Sequence, residues 1–472
     1  MKPIRFGTEG WRALLADEYT FDRVRAVARA VAARFKQQPH QAPVAVGHDT
    51  RFLADRFAAA VADELADHGL EVRLCASFVP TPATCFYVVA EKLAGAVVLT
   101  ASHNPAEWNG IKVKGPQGAS ASEEDAKWIG NEANRILEGG LGQPAPKREH
   151  ARFDAHEQYL ARILSLVDAD AIASAKLTVV ADLMHGAGIG YFDEVLRRVG
   201  CAEVRAVREN PDPTFGGKHP EPIGPNLDPS IPLTADPGVD VGLATDGDGD
   251  RFGMMAHGEY VDIQRTIVFI LYHLLKNRNW RGRVVRALNV TSMLDRLCDH
   301  YGCAVTETSV GFKNIAPQMI ASDDIILAVE ESGGFGLRGH IPDRDGSLTA
   351  LTACEALARA RKPVRDILAE IYALVGGERF FDRDDHRLSE EQRRLVGDRL
   401  PSFEPAKLAG QPLAEVNRLD GAKFIRKDGS WLLLRVSGTE DLVRVYAEAN
   451  SEEDLRQLLA AGGEFVREMA GG

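Results

Sequence analysis

A serine in a tight turn is the first group in this sequence that could carry out chemistry. Ser102 follows the apolar run 94–99 and precedes Asn104-Pro105. A buried strand that ends in a turn fixed by Asn-Pro would project the hydroxyl from a rigid base, as a nucleophile or a phosphoryl carrier requires. An ordinary polar turn would have the same residues. The loop alone therefore leaves both interpretations open.

Three aspartates, Asp246, Asp248 and Asp250, alternate with glycines in a second loop. On a tight turn their carboxylates can point inward and present oxygens to a hard cation such as Mg²⁺ or Ca²⁺. A calcium-binding EF-hand would need Gly in place of Arg251 and Glu in place of His257, so that alternative fails. A solvated acidic turn remains the alternative to a metal site.

Two further loops carry groups that suit a polar ligand. Glu330 and Ser332, within the sequence Glu-Glu-Ser-Gly-Gly, could hold sugar hydroxyls. The last loop combines hydroxyls, a glycine and two arginines, which could cradle a phosphate or form a polar hairpin turn. Its candidate residues are Arg435, Ser437, Gly438, Thr439 and Arg444.

Several classes of function are disfavoured. The glycine pattern at 186–190 lacks the third glycine of a dinucleotide site, and the chain has no Walker-type phosphate loop. A net charge of -12 disfavours nucleic-acid binding. The longest apolar run, 266–275, is about half the ~20 residues that span a bilayer. Because the start of the chain lacks a secretory signal, a cytoplasmic protein is expected.

The apolar pattern predicts the elements that position these loops. Helical spacing at 21–35 is followed by strand-like 44–46, and the alternation of strands and helices continues in the manner of parallel α/β units. The apolar runs 97–99, 241–244 and 326–329 each lead directly into one of the polar loops. Ligands of open α/β sheets bind at the carboxyl ends of strands, so these loops are the expected site.

At 472 residues the chain is too long for one core. We predict an α/β protein with three similar α/β domains that have mixed sheets, plus a smaller C-terminal α+β domain. The predicted ranges are 1–148, 149–256, 257–376 and 377–472, and the first boundary follows a linker-like stretch at 139–146.

The four loops, in this order, resemble the α-D-phosphohexomutase family, which includes phosphoglucomutase and phosphomannomutase. Further similar segments extend the resemblance over nearly the whole chain; they are residues 6–12, 47–51, 80–82, 109–112, 220–222, 311–313 and 345–346. The resemblance implies four domains around a central cleft, each of which contributes one loop.

The resemblance also implies roles for individual residues. Ser102 would be phosphorylated in the resting enzyme, and Ser102, Asp246, Asp248 and Asp250 would bind Mg²⁺. Arg12, Lys112 and His340 are the other expected catalytic residues, although the general acid and base are not decided. The expected substrate-binding residues are His103, Arg251, Glu330, Ser332, Arg344, Arg435, Ser437, Gly438, Thr439 and Arg444.

The chain departs from the family pattern at three positions. Gly334 stands where many bacterial relatives carry His, and Val436 and Asp441 stand where the last loop commonly has Pro. Loss of the prolines is expected to loosen that turn, and Asp441 adds a negative charge near the predicted phosphate site.

The expected activity is that of a phosphoglucomutase, with glucose 1,6-bisphosphate as intermediate and activator. The Glu-Glu-Ser-Gly-Gly form and Trp108 favour glucose, and a phosphomannomutase or dual-specificity enzyme is the alternative. A metal-dependent phosphatase that forms phosphoserine and a silent sugar-phosphate sensor are further rivals. The expected partner is a small phosphosugar, with no nucleic acid or membrane, and the protein is expected to be a monomer or a homodimer.

Overall fold

Four β-sheets, one after another along the chain, organise the computed structural model, which describes residues 2–7, 9–38, 42–438 and 441–471. The first three sheets mix parallel and antiparallel strands, and the fourth is antiparallel throughout. The predicted fold class is therefore confirmed.

The first unit is built on a six-stranded sheet. Its elements are β1 (Trp11–Leu14), α1 (Phe21–Phe35), β2 (Val44–His48), α2 (Ala54–Asp67), β3 (Val72–Cys75), α3 (Thr81–Ala90), β4 (Gly95–Leu99), β5 (Trp108–Lys114), α4 (Glu123–Glu138) and β6 (Ala151–Phe153). The strand order is β1-β5-β4-β2-β3-β6. The edge strand β6 thus lies beyond the predicted boundary at residue 148.

The second unit is built on a five-stranded sheet. Its elements are α5 (His156–Leu164), α6 (Ala169–Ala175), β7 (Thr178–Asp182), α7 (Phe192–Arg198), β8 (Glu203–Val207), β9 (Val241–Thr245), β10 (Phe252–Ala256) and β11 (Glu259–Val261). The strand order is β11-β10-β9-β7-β8.

The third unit is built on a four-stranded sheet. Its elements are α8 (Ile263–Lys276), β12 (Arg283–Ala287), α9 (Ser292–Tyr301), β13 (Ala304–Thr308), α10 (Phe312–Ala321), β14 (Ile325–Glu330), β15 (Gly334–Leu337), α11 (Gly346–Ala360) and α12 (Val364–Val375). The strand order is β13-β12-β14-β15. The apolar helix α8 is buried along almost its whole length, as a core helix should be. Across the described residues, no helix combines the length and apolar character needed to cross a membrane.

The fourth unit is a five-stranded sheet with helices. Its elements are β16 (Phe380–Arg387), α13 (Glu390–Arg399), β17 (Leu413–Asn417), β18 (Ala422–Arg426), β19 (Trp431–Val436), β20 (Leu442–Ala449) and α14 (Glu452–Ala470). The strand order is β16-β20-β19-β18-β17. Helix α14 packs an apolar face, which includes Leu458 and Val466, into the core of this unit.

The polar loops occupy equivalent positions in the first three sheets. Each loop follows a strand that is parallel to its neighbour on one side, and each leads into an antiparallel strand on the other side. These connections are β4 to β5, β9 to β10 and β14 to β15. The last loop joins the antiparallel strands β19 and β20. All four loops are therefore hairpin connections whose two ends are fixed by one sheet.

Candidate active site

Ser102 lies fully buried in the loop between β4 and β5. Its φ of 51° is in the left-handed region, which non-glycine residues rarely adopt outside turns and functional sites. The backbone N–H of Ser102 donates to Thr100 Oγ1 at 2.8 Å. Its hydroxyl Oγ donates to Asp246 Oδ2 at 2.7 Å, which brings the serine loop and the aspartate loop together.

Arg51, a buried residue after β2, holds the serine loop in this conformation. Its Nη1 donates to the carbonyl oxygens of Pro105 and Trp108 at 2.8 and 2.9 Å. Its Nη2 donates to the carbonyl oxygens of Ser102 and Asn104, both at 2.6 Å. One guanidinium therefore fixes four main-chain oxygens of the loop.

Arg51 is itself held from two sides. Its Nε lies 3.2 Å from Asp49 Oδ2, and that same oxygen accepts a hydrogen bond from Thr100 Oγ1 at 2.5 Å. The ring of Phe215, from the second unit, lies 4.8 Å from the Arg51 guanidinium carbon. Asp49 and Arg51 are not among the predicted site residues. The similarity of residues 47–51 to the family was the one signal that could have pointed to them.

The three aspartates of the second loop are all buried, and their oxygens lie within 4.8 Å of one another. Two glycines make this arrangement possible. A Cβ on Gly247 would lie 2.6 Å from the Ser102 carbonyl oxygen, so only glycine allows the two loops to approach so closely. Gly249 has a φ of 81°, which turns the chain between the second and third aspartates.

The aspartate cluster fits a hard cation. Asp248 Oδ1 and Asp250 Oδ1 are buried and accept no hydrogen bond among the described residues. Burial, and then the charges of Asp248 and Asp250, raise the pKa of Asp246 well above its usual range. Buried carboxylate oxygens without partners, next to a serine hydroxyl, can serve as ligands of a hard cation such as Mg²⁺. The predicted metal ligands Ser102, Asp246, Asp248 and Asp250 therefore lie together.

The other carboxylate oxygens of this cluster are held by the protein. Lys112 Nζ donates to Asp248 Oδ2 and to Asp250 Oδ2, both at 2.7 Å. Thr81, at the start of α3, also donates its hydroxyl to Asp248 Oδ2 at 2.6 Å. Although burial opposes it, the charges of Asp248 and Asp250 raise the pKa of Lys112. Lys112 is therefore a positive charge that donates hydrogen bonds to two of the aspartates.

Further positive charge surrounds the serine. Arg12 Nη1 donates to Asn104 Oδ1 at 2.6 Å, and Arg251 Nη1 donates to Glu221 Oε1 at 2.9 Å. Burial, followed by the charges of Arg251 and Arg12, holds the pKa of His103 well below its usual range. The cations that lower this pKa form a positively charged environment that could bind an anionic group.

The predicted sugar-binding residues lie at the end of β14. Ser332 Oγ donates to Glu330 Oε1 at 2.7 Å. Arg344 Nη1 donates to the same oxygen at 2.6 Å, and its Nη2 donates to Asp250 Oδ2 at 2.6 Å. The structure therefore connects the sugar loop directly to the aspartate loop.

His340 lies in a different set of contacts. Its Nε2 is 2.8 Å from Asp345 Oδ2, and Asp345 also accepts from the Tyr159 hydroxyl at 2.9 Å. The imidazole stacks on Phe86, with 6.1 Å between the ring centroids. Over the described ranges, no hydrogen bond or ion pair joins His340 to Ser102, to the aspartates or to Glu330. The catalytic role of His340 stays a prediction.

In the last loop, Arg435 and Arg444 are directly opposite each other on β19 and β20. Arg435 Nε donates to Asp420 Oδ2 at 2.8 Å, and Asp420 also accepts from the backbone N–H of Val310 in the third unit at 2.9 Å. The Ser437 N–H donates to the Leu442 carbonyl oxygen at 3.0 Å, which closes the turn. Gly438 is exposed, and Thr439 lies outside the described residues.

The charge of Asp441 has a counterion that sequence reasoning missed. Arg393, on α13, places its Nε 3.1 Å from Asp441 Oδ1, and its Nη1 donates to the Ser437 carbonyl oxygen at 3.4 Å. Arg393 therefore compensates the negative charge at 441 and supports the turn that lacks the usual prolines.

Comparison with known proteins adds to this geometry. Four domain families match in chain order: phosphoglucomutase/phosphomannomutase alpha/beta/alpha domain I over residues 3–139, domain II over 157–259, domain III over 264–375 and the C-terminal domain over 399–461. These matches correspond to the four sheets.

Individual relatives cover almost the whole chain. The chain is 29% identical to a phosphoglucomutase/phosphomannomutase of Thermococcus kodakarensis, with 98% of both chains covered. It is also 29% identical to a phosphoglucosamine/phosphogalactosamine mutase of Sulfurisphaera tokodaii, with 96% of this chain and 97% of the relative covered. A crystal structure assigned to a phosphomannomutase of Thermus thermophilus superposes with a TM-score of 0.87, at 36% identity and with 99% of both chains covered. The chain thus belongs to the phosphoglucomutase/phosphomannomutase family of phosphohexomutases.

Proposed function

We propose that this protein is a Mg²⁺-dependent phosphoglucomutase that interconverts glucose 1-phosphate and glucose 6-phosphate through a phosphorylated Ser102. The observation that carries the proposal is the 2.7 Å hydrogen bond from Ser102 Oγ to Asp246 Oδ2, next to two buried carboxylate oxygens that lack partners. A phosphoryl carrier and a cation-binding cluster are thus in direct contact.

In the forward reaction the bond between phosphorus and Ser102 Oγ breaks while a bond forms to the 6-hydroxyl of glucose 1-phosphate. Overall, the proton of the 6-hydroxyl is transferred to Ser102 Oγ as the serine leaves, and the product is glucose 1,6-bisphosphate. The bisphosphate turns over in the cleft and returns its 1-phosphoryl group to Ser102, which leaves glucose 6-phosphate. When bound, Mg²⁺ supplies charge neutralisation at the transferring phosphoryl oxygens.

The chain's own residues bind and orient the substrate. Arg12, Lys112 and Arg251 surround the serine and offset the charge of the transferring group. Glu330 and Ser332 hold sugar hydroxyls.

The non-transferring phosphate is held at the last loop by Arg435, Ser437, Gly438, Thr439 and Arg444. A single position for this phosphate keeps the reacting oxygen in line with Ser102 in both half-reactions.

The choice of hexose depends on two sequence features and on the name of one relative. The Glu-Glu-Ser-Gly-Gly sequence and Trp108 favour glucose, whereas the Thermus thermophilus relative is assigned as a phosphomannomutase. A phosphomannomutase or dual-specificity enzyme is accordingly the second candidate. Both candidates use the same serine, cation and phosphate contacts.

A single set of assays tests the function. The purified protein is incubated with Mg²⁺, a trace of glucose 1,6-bisphosphate and either glucose 1-phosphate, mannose 1-phosphate or glucosamine 1-phosphate. Phosphorus NMR then follows the products. We expect the 6-phosphate to form fastest from the glucose substrate. Faster conversion of the mannose or glucosamine substrate would overturn the choice of sugar. Release of free phosphate would indicate a phosphatase, and binding without turnover would indicate a sensor.

Because Arg51 supports the serine loop, we expect its substitution to reduce the mutase activity. Arg51→Met removes four hydrogen bonds to loop carbonyl oxygens and leaves Asp49 without its cationic partner. Because a displacement of about 1 Å at a reacting group can cost 100-fold in rate, we expect kcat to fall about 100-fold with a smaller change in KM. Steady-state kinetics and thermal unfolding measure the two effects.

The control for Arg51 is Arg56→Met, at an exposed position on α2. It should leave kcat and the melting temperature near those of the parent protein. If Arg51→Met folded and kept its full kcat, the positioning role of Arg51 would be wrong.

A further inference from the structure

Gly334, the first residue of β15, is a glycine because a neighbouring side chain fills the space above it. A Cβ at this position would lie 2.1 Å from Arg344 Cδ, 2.8 Å from Arg344 Cγ and 3.0 Å from Glu330 Oε1. The two distances to Arg344 are shorter than any stable contact between carbon atoms. The backbone of Gly334 does not have a positive φ, so the glycine is required mainly by the Arg344 side chain.

Arg344 uses this space to reach carboxylates of three separate units. Its Nη1 contacts Glu9 from the first unit and Glu330 from the third, and its Nη2 contacts Asp250 from the second. The guanidinium is buried and lies 5.6 Å from the ring of Phe312. Although burial raises it, the charges of Arg344 and Lys112 lower the pKa of Glu9 to about 2. Carboxylates from three separate units therefore surround one cation.

The hydrogen bonds of Arg344 select which carboxylate oxygens stay available. On Asp250, Arg344 bonds to Oδ2, and Oδ1 is buried without a partner beside the other aspartates. On Glu330, Arg344 and Ser332 both donate to Oε1, which leaves Oε2 for a ligand. Arg344 thus orients Asp250 toward the cation site, together with Lys112, and orients Glu330 toward the sugar site, together with Ser332.

We propose that Gly334 and Arg344 form a coupled positioning pair that sets Mg²⁺ affinity and substrate affinity together. Because Gly334 has no side chain, the Arg344 side chain can pass directly over it. Arg344 in turn holds Asp250 and Glu330 in place. Neither residue contacts the reacting atoms. The sugar part of this inference rests on the proposed function, whereas the Mg²⁺ part rests on the aspartate cluster alone.

A double-mutant cycle tests the coupling. In Gly334→Ala the new methyl group displaces Arg344, and in Arg344→Ala the guanidinium is absent. Since loss of a residue that orients a metal ligand typically weakens metal binding about 10- to 100-fold, we expect each single variant to lose Mg²⁺ affinity by that factor. KM for the sugar phosphate should rise in both. The double variant should resemble Arg344→Ala alone, because the added methyl group then occupies vacated space.

The measurements are Mg²⁺ titration by calorimetry, thermal unfolding, and kcat and KM with glucose 1-phosphate. Arg344→Lys is a second variant that keeps the charge but cannot bond to three carboxylates. It should retain the fold and still lose Mg²⁺ affinity. The controls are Gly397→Ala, where the added Cβ meets no atom within 4 Å, and Arg365→Ala, whose side chain is 72% exposed.

The outcomes separate this inference from the proposed function. The proposed coupling would be overturned if Gly334→Ala kept the Mg²⁺ affinity of the parent protein. It would also be overturned if the losses of binding free energy in the two single variants added up in the double variant. If the protein converted none of the three sugar phosphates but showed non-additive Mg²⁺ affinities, the proposed function would fail and the coupled pair would stand.

Discussion

Ser102→Ala is expected to abolish phosphosugar interconversion, with kcat reduced at least about 10⁴-fold, since the variant has no atom that can carry the phosphoryl group. Intact mass measurement of the purified parent protein should show a form that carries one phosphoryl group, and that form should be missing from the variant. The loss should affect kcat and leave substrate binding largely intact, because the proposed phosphate and sugar contacts lie on other loops.

The matched control is Ser174→Ala, at an exposed serine on α6. This control should keep both the phosphorylated form and the full rate. Full activity of Ser102→Ala, or a phosphoryl group that persists in it, would contradict a covalent serine intermediate. Thermal unfolding of both variants excludes a general loss of structure as the cause.

Asp248→Asn is the second change for which we expect a large loss. Asp248 Oδ2 accepts from Lys112 and Thr81, whereas its Oδ1 is a buried oxygen without a partner. An amide cannot supply a charged ligand to a cation, and its NH₂ group cannot accept from both donors. We therefore expect a fall of at least about 100-fold in kcat/KM and in Mg²⁺ affinity.

Removal of the metal gives an independent form of this prediction. The parent protein treated with a chelator should be inactive and should recover fully when Mg²⁺ is added. Asp248→Asn should stay largely inactive at the Mg²⁺ concentration that restores the parent. Asp228→Asn is the control, because Asp228 pairs with Lys218 at the surface. Chelator-resistant activity in the parent protein would contradict a metal-dependent reaction.

The parts of the site that could be predicted from sequence are short and contiguous. The loop with Ser102 and the loop with the three aspartates each place their reactive groups within a few residues, next to apolar runs that indicate strands. In each case the residues lie close together in the sequence, so their spacing along the chain also determines how near they are in the fold.

The parts that could not be predicted depend on contacts between distant segments. Thr81 and Asp248 are 167 residues apart, and Arg393 and Asp441 belong to a helix and a loop with no shared pattern. The bonds of Arg51 go to carbonyl oxygens, which every residue has, so no residue type marks its partners. Such contacts appear only once the chain is folded, and for that reason the supporting residues Thr81, Arg51 and Arg393 were not predicted.

The way in which Arg51 holds the serine loop has a consequence for variation in this protein. Its four hydrogen bonds go to backbone carbonyl oxygens, so they do not depend on the side chains of the loop. A new side chain at position 108, where Arg51 bonds only to the carbonyl oxygen, could therefore change which sugar the loop recognises without removing this support. The nucleophile would keep its place throughout such changes in specificity.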